Sequence, residues 1–273
     1  METNESPVDI DLWLAFQEDI VDAPLLERLE SLMDDAERLQ EARFVFEADR
    51  RRHRVTRALV RTVLSRHAPI APADWVFAVG AHGRPRIANV HPEVRDLDFN
   101  VSHTPGLIAL GVARRCTLGI DVEHWAARAV SDSLARHCFT AREVEALMSA
   151  PAPRFQDEFF QYWTFKESYI KARGLGMAIP MDGFEFDYPC ARSVRMSASP
   201  EVDTAPSRWR FWQYRPASGY LLAVCADLPE GTPARIRLRR IVPTRVEELL
   251  QLPATRASAP RDVNERPLSV HRG

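Results

Sequence analysis

Helical and β-rich segments do not alternate along this chain; they come in blocks, and the blocks come twice. The stretch from Leu25 to Arg66 is rich in Leu, Glu, Arg and Ala, reads as two helices, and is closed by Pro69 and Pro72. From Trp75 the segments shorten into WVFAV, DFNVSH, LIALGVA and LGIDVEHW, apolar runs with Gly, Pro and Asn between them, which read as strands. Helical patterns return from Val130 to Met148 and from Arg154 to Arg173, and FEFDY, WRFWQY and YLLAVCA follow as strands. This order predicts an α+β fold of two similar halves rather than a βαβ series. The halves are expected to meet near Cys116 to Leu118, giving an N-terminal half over 1–117 and a C-terminal half over 118–251. From Leu252 to Gly273 prolines and charges replace large apolar residues, which predicts a disordered tail.

Composition narrows the function. Of the 273 residues 45% are apolar, enough for a sizeable core. A net charge of -2 argues against a dedicated nucleic-acid binder. Cys116, Cys138, Cys190 and Cys225 are too widely spaced for a CxxC zinc or redox site. The opening METNESPVDIDLW lacks the apolar region of a secretory signal, and no apolar run is long enough for a membrane span. A cytoplasmic protein is the expectation.

The segment WTFKESYIKARGLGM breaks a helical pattern. At about 100° per residue, Phe159, Phe160, Trp163 and Ile170 fall in one apolar stripe. Glu167 falls inside that stripe, Lys166 at its edge and Lys171 one turn beyond Glu167. A carboxylate on an apolar face must find a cation or hydrogen-bond donors. Glu167 is therefore either half of an i,i+4 pair with Lys171 or a metal ligand or general base beside an anion held by lysine. Gly174 is suited to close the helix in a left-handed conformation.

A second acidic pair stands in LGIDVEHW. Strand alternation sends Asp121 and Glu123 to one face, with Ile120 and Val122 to the other, towards the core. Two such carboxylates are either a solvated strand face or an all-oxygen site for Mg²⁺ or Mn²⁺.

Candidate anion sites lie earlier. In ADRRRHRVTRALVRTVLSRH, Val55, Ala58, Leu59 and Val63 form a core stripe. Arg50, Arg54, Arg57 and Arg61 face away and are expected in solvent. Arg51 and Arg52 fall back near the core stripe at the helix start, where cations oppose the helix dipole unless an anion joins them. In AHGRPRI, Gly83 and Pro85 shape a turn that presents Arg84. In NVSHTPG, Ser102 and His103 end a strand, and His103 is either a phosphate donor or a half-buried strand-end histidine.

Taken in order, GRP, NVSH, GIDVE and WTFKESYIK resemble the motifs of the 4′-phosphopantetheinyl transferases of the surfactin-synthetase-activating type, over about Asp34 to Asp227. The resemblance implies a pseudo-twofold monomer with its active site between the two halves. It implies transfer of the phosphopantetheine arm of coenzyme A to a serine of an apo acyl or peptidyl carrier protein, with release of adenosine 3′,5′-bisphosphate. By the same likeness Asp121, Glu123 and Glu167 are Mg²⁺ ligands, Glu167 is also the base for the carrier serine, and Lys171 contacts the pyrophosphate and leaving group. Arg52, Arg84, Ser102 and His103 hold the phosphates of coenzyme A, and Gly83 and Pro85 lie against the adenine. Trp163 and Lys166 are structural or orienting. Glu37 and Gln40 stand where close relatives often carry lysines, with Arg38 and Arg43 as possible substitutes. The carrier is expected on Val130 to Met148 and around Gly174 to Met177. A coenzyme A-binding regulator without catalysis is the rival reading, and it does not account for three retained carboxylates and Lys171.

Overall fold

The computed structural model describes residues 6–258. In chain order the elements are β1 (Val8–Phe16), α1 (Ala23–Glu30), α2 (Asp35–Glu41), α3 (Glu47–Leu64), β2 (Phe77–Val79), β3 (Pro85–Ile87), β4 (Leu97–Thr104), β5 (Leu107–Arg114) and β6 (Leu118–His124). There follow α4 (Asp132–Cys138), α5 (Ala141–Met148), α6 (Ala152–Arg173), β7 (Phe184–Asp187), β8 (Arg195–Ala198), β9 (Trp209–Tyr214), β10 (Tyr220–Asp227), β11 (Ala234–Val242), β12 (Val246–Leu250) and β13 (Arg256–Ala257). The class is α+β.

Where the sequence suggested two helices before Pro69, there are three. Asp34 caps α2 by accepting from the Glu37 backbone while Glu37 returns a bond to Asp34, so a new helix starts there. The pattern from Val130 to Met148 also splits. Thr140 and Glu143 form the same reciprocal box and start α5 afresh after α4. The helix α6 is unbroken, and Gly174, at φ +64°, closes it as its sequence position suggested.

Two sheets carry the molecule. The first has the order β12-β11-β1-β5-β4, the second β13-β9-β10-β6. Alternation assigns their faces. Trp13, Ala15, Ile108, Leu110 and Val112 of the first sheet face α1 and α3. Ile10, Leu12 and Leu14 face Leu118, Ile120, Val122, Leu222 and Val224 of the second sheet across a shared core. The far face of the second sheet, with Leu221, Ala223 and Cys225, is covered by α6. The layering is thus helices, sheet, sheet, helix, and Ile120 and Val122 point into the core as period two required.

Chain order and spatial order part company at the C-terminal side. The strand β11 runs parallel to β1, with Leu12 opposite Leu238, so β11 and β12 complete the sheet of the first half. The stretch expected to be a tail from Leu252 is ordered at its start: Arg256 pairs with Gln213 and Ala257 with Trp212. Residues 259–273 of that expectation lie outside the described residues.

Candidate active site

The site forms where α6 crosses β6. Their approach is closer than any side chain allows: a Cβ on Gly119 would lie 2.1 Å from the Ser168 carbonyl oxygen and 2.4 Å from the Ala172 nitrogen. Glycine there sets the backbones in contact. Two residues on, Asp121 meets the last turn of the helix. Its Oδ1 accepts from Lys171 Nζ at 2.7 Å and from Ser102 Oγ at 3.1 Å. Lys171 Nζ also donates to Ser102 Oγ at 2.8 Å. Asp121 is buried, and its Oδ2 has no hydrogen-bond partner among the described residues.

Glu123, on the same face of β6, accepts from Trp163 Nε1 at 3.1 Å and pairs with Arg128 at 3.4 Å. Burial pushes its carboxyl up, Asp121 adds to the rise, and Arg128, Trp163 and Lys171 oppose it. Glu167 is pushed up to about 7, first by burial, then by the charge of Asp121, with a smaller contribution from Glu123 and an opposing one from Lys171. The three acids therefore feel one another's charge. Among the described residues no three acidic, histidine or cysteine side chains close into a group around a metal ion. Lys171 is the cation that Asp121 engages.

The first half brings α3 and β4 to the same place. His103 projects from β4 with an exposed surface, yet enough protein crowds it to hold the imidazole below its usual range. Desolvation contributes most, the Arg52 and Lys171 cations add to it, and Asp121 and Asp49 oppose it. Arg52 is thus within electrostatic reach of His103, and it pairs with Asp49 at 2.6 Å. Arg51 Nε is buried with no partner among the described residues.

Comparison with known proteins adds to this geometry. The family described as the 4′-phosphopantetheinyl transferase superfamily matches residues 117–225, and the family described as 4′-phosphopantetheinyl transferase, N-terminal, matches residues 23–114. The chain belongs to the 4′-phosphopantetheinyl transferase superfamily. The 4′-phosphopantetheinyl transferase HetI of Nostoc sp. is 34% identical over 153 residues, which is 56% of this chain and 64% of that protein. The 4′-phosphopantetheinyl transferase Sfp of Bacillus subtilis is 29% identical over 208 residues, 75% of this chain and 86% of that protein. The chain thus spans a little under two thirds of the first relative and most of the second.

The matched region of the superfamily contains Asp121, Glu123, Glu167 and Lys171, and the N-terminal match contains Arg52, Gly83, Arg84, Pro85, Ser102 and His103. The structure gathers Ser102, Asp121 and Lys171 into one hydrogen-bonded cluster, with Glu123, Glu167, His103 and Arg52 in its field. Gly83, at φ +86°, sits in the turn between β2 and β3, and Pro85 opens β3. Arg84 behaves differently from the expected phosphate ligand. Its side chain is nearly buried, and its terminal nitrogens donate to Asp98 at 2.7 Å, Leu118 O at 2.8 Å, Ala172 O at 2.7 Å and Lys171 O. These bonds anchor the C-terminal end of α6, whose carbonyls attract a cation.

Arg61 also departs from expectation. It is fully buried rather than solvated, bonded to Glu37, Asp34 and the carbonyls of Pro72, Ala73 and Trp75. Arg54 likewise pairs with Glu41 at 2.5 Å. The acids of α2 cover that face of α3, a placement no helical wheel of α3 alone contains. Glu37 is therefore committed to Arg61, and Arg38 to Asp35 at 2.8 Å and the Met33 carbonyl. Lys166 is wholly buried, donating to Met181 O at 2.5 Å and Phe184 O at 2.6 Å and pairing with Glu143 at 2.8 Å. Trp163 orients Glu123.

Sequence reasoning missed Gly119 and the role of Asp98. A glycine before a strand acid was a visible signal, but only the helix packed on it gives it meaning.

Proposed function

We propose that this protein transfers the 4′-phosphopantetheine arm of coenzyme A to a serine hydroxyl of an apo acyl or peptidyl carrier protein, releasing adenosine 3′,5′-bisphosphate. The observation that carries the reading is the junction itself. Lys171 from α6 meets Asp121 from β6 and Ser102 from β4, with Glu167 and His103 close enough to feel the charge of Asp121 and Arg52 close enough to act on His103.

The chemistry follows from the residues. A serine hydroxyl is a weak nucleophile near neutral pH, and a carboxylate that titrates at about 7 is well matched to take its proton. The new bond joins the serine oxygen to the β-phosphorus, and the bond from that phosphorus to the bridging oxygen breaks. Negative charge gathers on the departing phosphate, where the Lys171 ammonium neutralises it. Arg52 and His103 supply donors for the remaining phosphates.

The donor chemistry of the acidic set supports a divalent cation, although the three carboxylates do not close into a metal-binding group among the described residues. Asp121 Oδ2 is a buried oxygen without a partner, and burial and mutual repulsion raise Glu123 and Glu167. Asp121, Glu123 and Glu167 would hold Mg²⁺ or Mn²⁺ as an all-oxygen site. Bound there, the ion supplies charge stabilisation for the diphosphate.

No described helix is long and apolar enough to cross a membrane; a monomer acting on carriers in the cytoplasm is part of the proposal. The carrier would approach α4, α5 and the turn at Gly174. The test is intact-mass analysis of a panel of apo carriers incubated with the protein, coenzyme A and Mg²⁺. A gain of one phosphopantetheine group on a carrier serine is expected. No gain on any carrier, with coenzyme A still bound, would leave a non-catalytic coenzyme A-binding protein. Release of phosphopantetheine to water without a carrier would make it a hydrolase.

A further inference from the structure

The strands β4 and β6 end different sheets. Side chains of one serve the backbone of the other. Asp98 Oδ2 accepts from Leu118 N at 2.8 Å, and Asn100 Oδ1 accepts from Ile120 N at 2.9 Å. Ser102 Oγ accepts from Val122 N at 3.2 Å, and Thr104 Oγ1 accepts from His124 N at 3.0 Å. Acceptors two apart on β4 meet donors two apart on β6. Period-two alternation puts the four side chains on one face of β4, and the N–H groups they meet are those an edge strand leaves unpaired. Asn100, Ser102 and Thr104 are each about 5% exposed or less, so water does not compete for these bonds.

The rungs frame the site. Ile120 and Val122 flank Asp121, so the amides before and after the site carboxylate are both fixed by the opposite half. Ser102 is at once a rung and a contact of Asp121 and Lys171. A slip of two residues would keep most rungs yet set Glu123 where Asp121 stands. The end rung opposes such a slip. Asp98 also accepts from Arg84, and Arg84 holds Leu118 O and the carbonyls at the end of α6. One arginine thus ties the ladder to the helix that bears Glu167 and Lys171.

We propose that this side-chain ladder sets the register of the two halves for phosphopantetheine transfer, and that Asn100 is a positioning residue within it. The proposal rests on the transfer reading above. Asn100 touches no reacting atom; it acts through the Ile120 amide on Asp121. The groups of the first half, His103 and Arg52, are thereby held at a fixed distance from the acids of the second.

The test compares the full-length wild-type protein with Asn100→Ala, Thr104→Val and Thr104→Ser. Transfer kinetics, melting temperature and amide hydrogen exchange over residues 118–124 are measured for each. Asn100→Ala is expected to exchange faster at Ile120 and to lose about 10- to 100-fold in kcat, with KM for coenzyme A changed less than about threefold, as misplacement of a reacting group predicts. Thr104→Val is expected to lose kcat and Thr104→Ser to keep it, because serine retains the acceptor. Wild-type kcat in a folded Asn100→Ala, unchanged exchange, or a lowered melting temperature with kcat intact would each overturn the ladder's role. If Asn100→Ala does not fold, the threonine pair decides, and equal kcat in Thr104→Val and Thr104→Ser overturns the proposal. A wild-type protein that modifies no carrier fails the transfer reading instead, and removes the catalytic role of the ladder whatever exchange shows.

Discussion

The ammonium of Lys171 lies 2.7 Å from Asp121 Oδ1, and that contact ties the last turn of α6 to the middle of β6. Removing it acts twice. In Lys171→Ala the buried Asp121 carboxylate loses its cation while its other oxygen already lacks a partner. A broken buried pair costs about 3–5 kcal/mol. Lys171 keeps 29% of its side chain in solvent, so a smaller loss is expected, on the order of 1–3 kcal/mol after screening. Transfer should fall further, by about 100-fold or more in kcat, because on the proposed mechanism the cation that neutralises the departing phosphate is gone. Melting curves and steady-state kinetics check both, and wild-type kcat would remove Lys171 from the chemistry.

Glu167 makes stability depend on pH. Its carboxyl titrates at about 7 in the folded chain, above the ordinary value of 4.5. The folded state then binds the proton more tightly than the unfolded state. Its stabilising effect is complete below about 4.5 and is lost as pH rises through about 7. In the presence of a chelator the melting temperature should fall over that window, by the equivalent of on the order of 2 kcal/mol once solvent exposure is discounted. Glu123 is raised too and adds in the same direction. Glu167→Gln should flatten much of the slope and lower kcat, and Mg²⁺ added to the wild type should flatten it as well. A slope that survives Glu167→Gln intact would place the titration elsewhere.

What could be read from the sequence was what violates a local pattern. Glu167 stood on an apolar stripe and Asp121 with Glu123 on an alternating strand, and each conflict was visible within a few residues. What could not be read depends on partners far along the chain. Arg61 looked solvated until α2 covered it with Asp34 and Glu37. Arg84 looked presented by its turn, yet its guanidinium ends on α6 and β6. The strand β11 returns beside β1, a pairing that neither segment announces alone. The ladder from Asp98 to Thr104 exists only once two distant strands have a register.

Arg84 and Arg52 should separate cleanly under substitution. Arg84 holds α6 by its carbonyls and Asp98 besides, so Arg84→Ala is expected to cost about 2–4 kcal/mol of stability, as several hydrogen bonds to a charged group are lost. Coenzyme A affinity, measured calorimetrically at a temperature where the variant is folded, should change little. Arg52→Ala should leave the melting temperature nearly unmoved, since among the described residues its ion pair is with Asp49, one turn earlier on the same helix. It should weaken coenzyme A more than dephospho-coenzyme A. Equal losses for the two ligands would contradict a 3′-phosphate role for Arg52. A large loss of coenzyme A affinity in Arg84→Ala would return Arg84 to the ligand.

Gly119 tests whether the contact of α6 with β6 is what builds the site. A methyl group there would press on backbone atoms, Ser168 O at 2.1 Å and Ala172 N at 2.4 Å, which cannot rotate away. Gly119→Ala must therefore push the helix off the strand. Overpacking of this kind costs about 1–3 kcal/mol and sometimes more. The displaced helix carries Glu167 and Lys171 away from Asp121, so transfer should fall about 100-fold even in molecules that stay folded. Gly111→Ala is the control. Its added methyl would meet side-chain atoms rather than backbone, Leu118 Cδ2 at 2.7 Å, Ile120 Cγ2 at 3.1 Å and Leu12 Cδ2 at 3.2 Å. It should lower stability with a smaller loss of kcat, because α6 keeps its seat. Equal effects of the two substitutions on kcat at matched stability would mean that the close seating of α6 on Gly119 does not position Glu167 and Lys171.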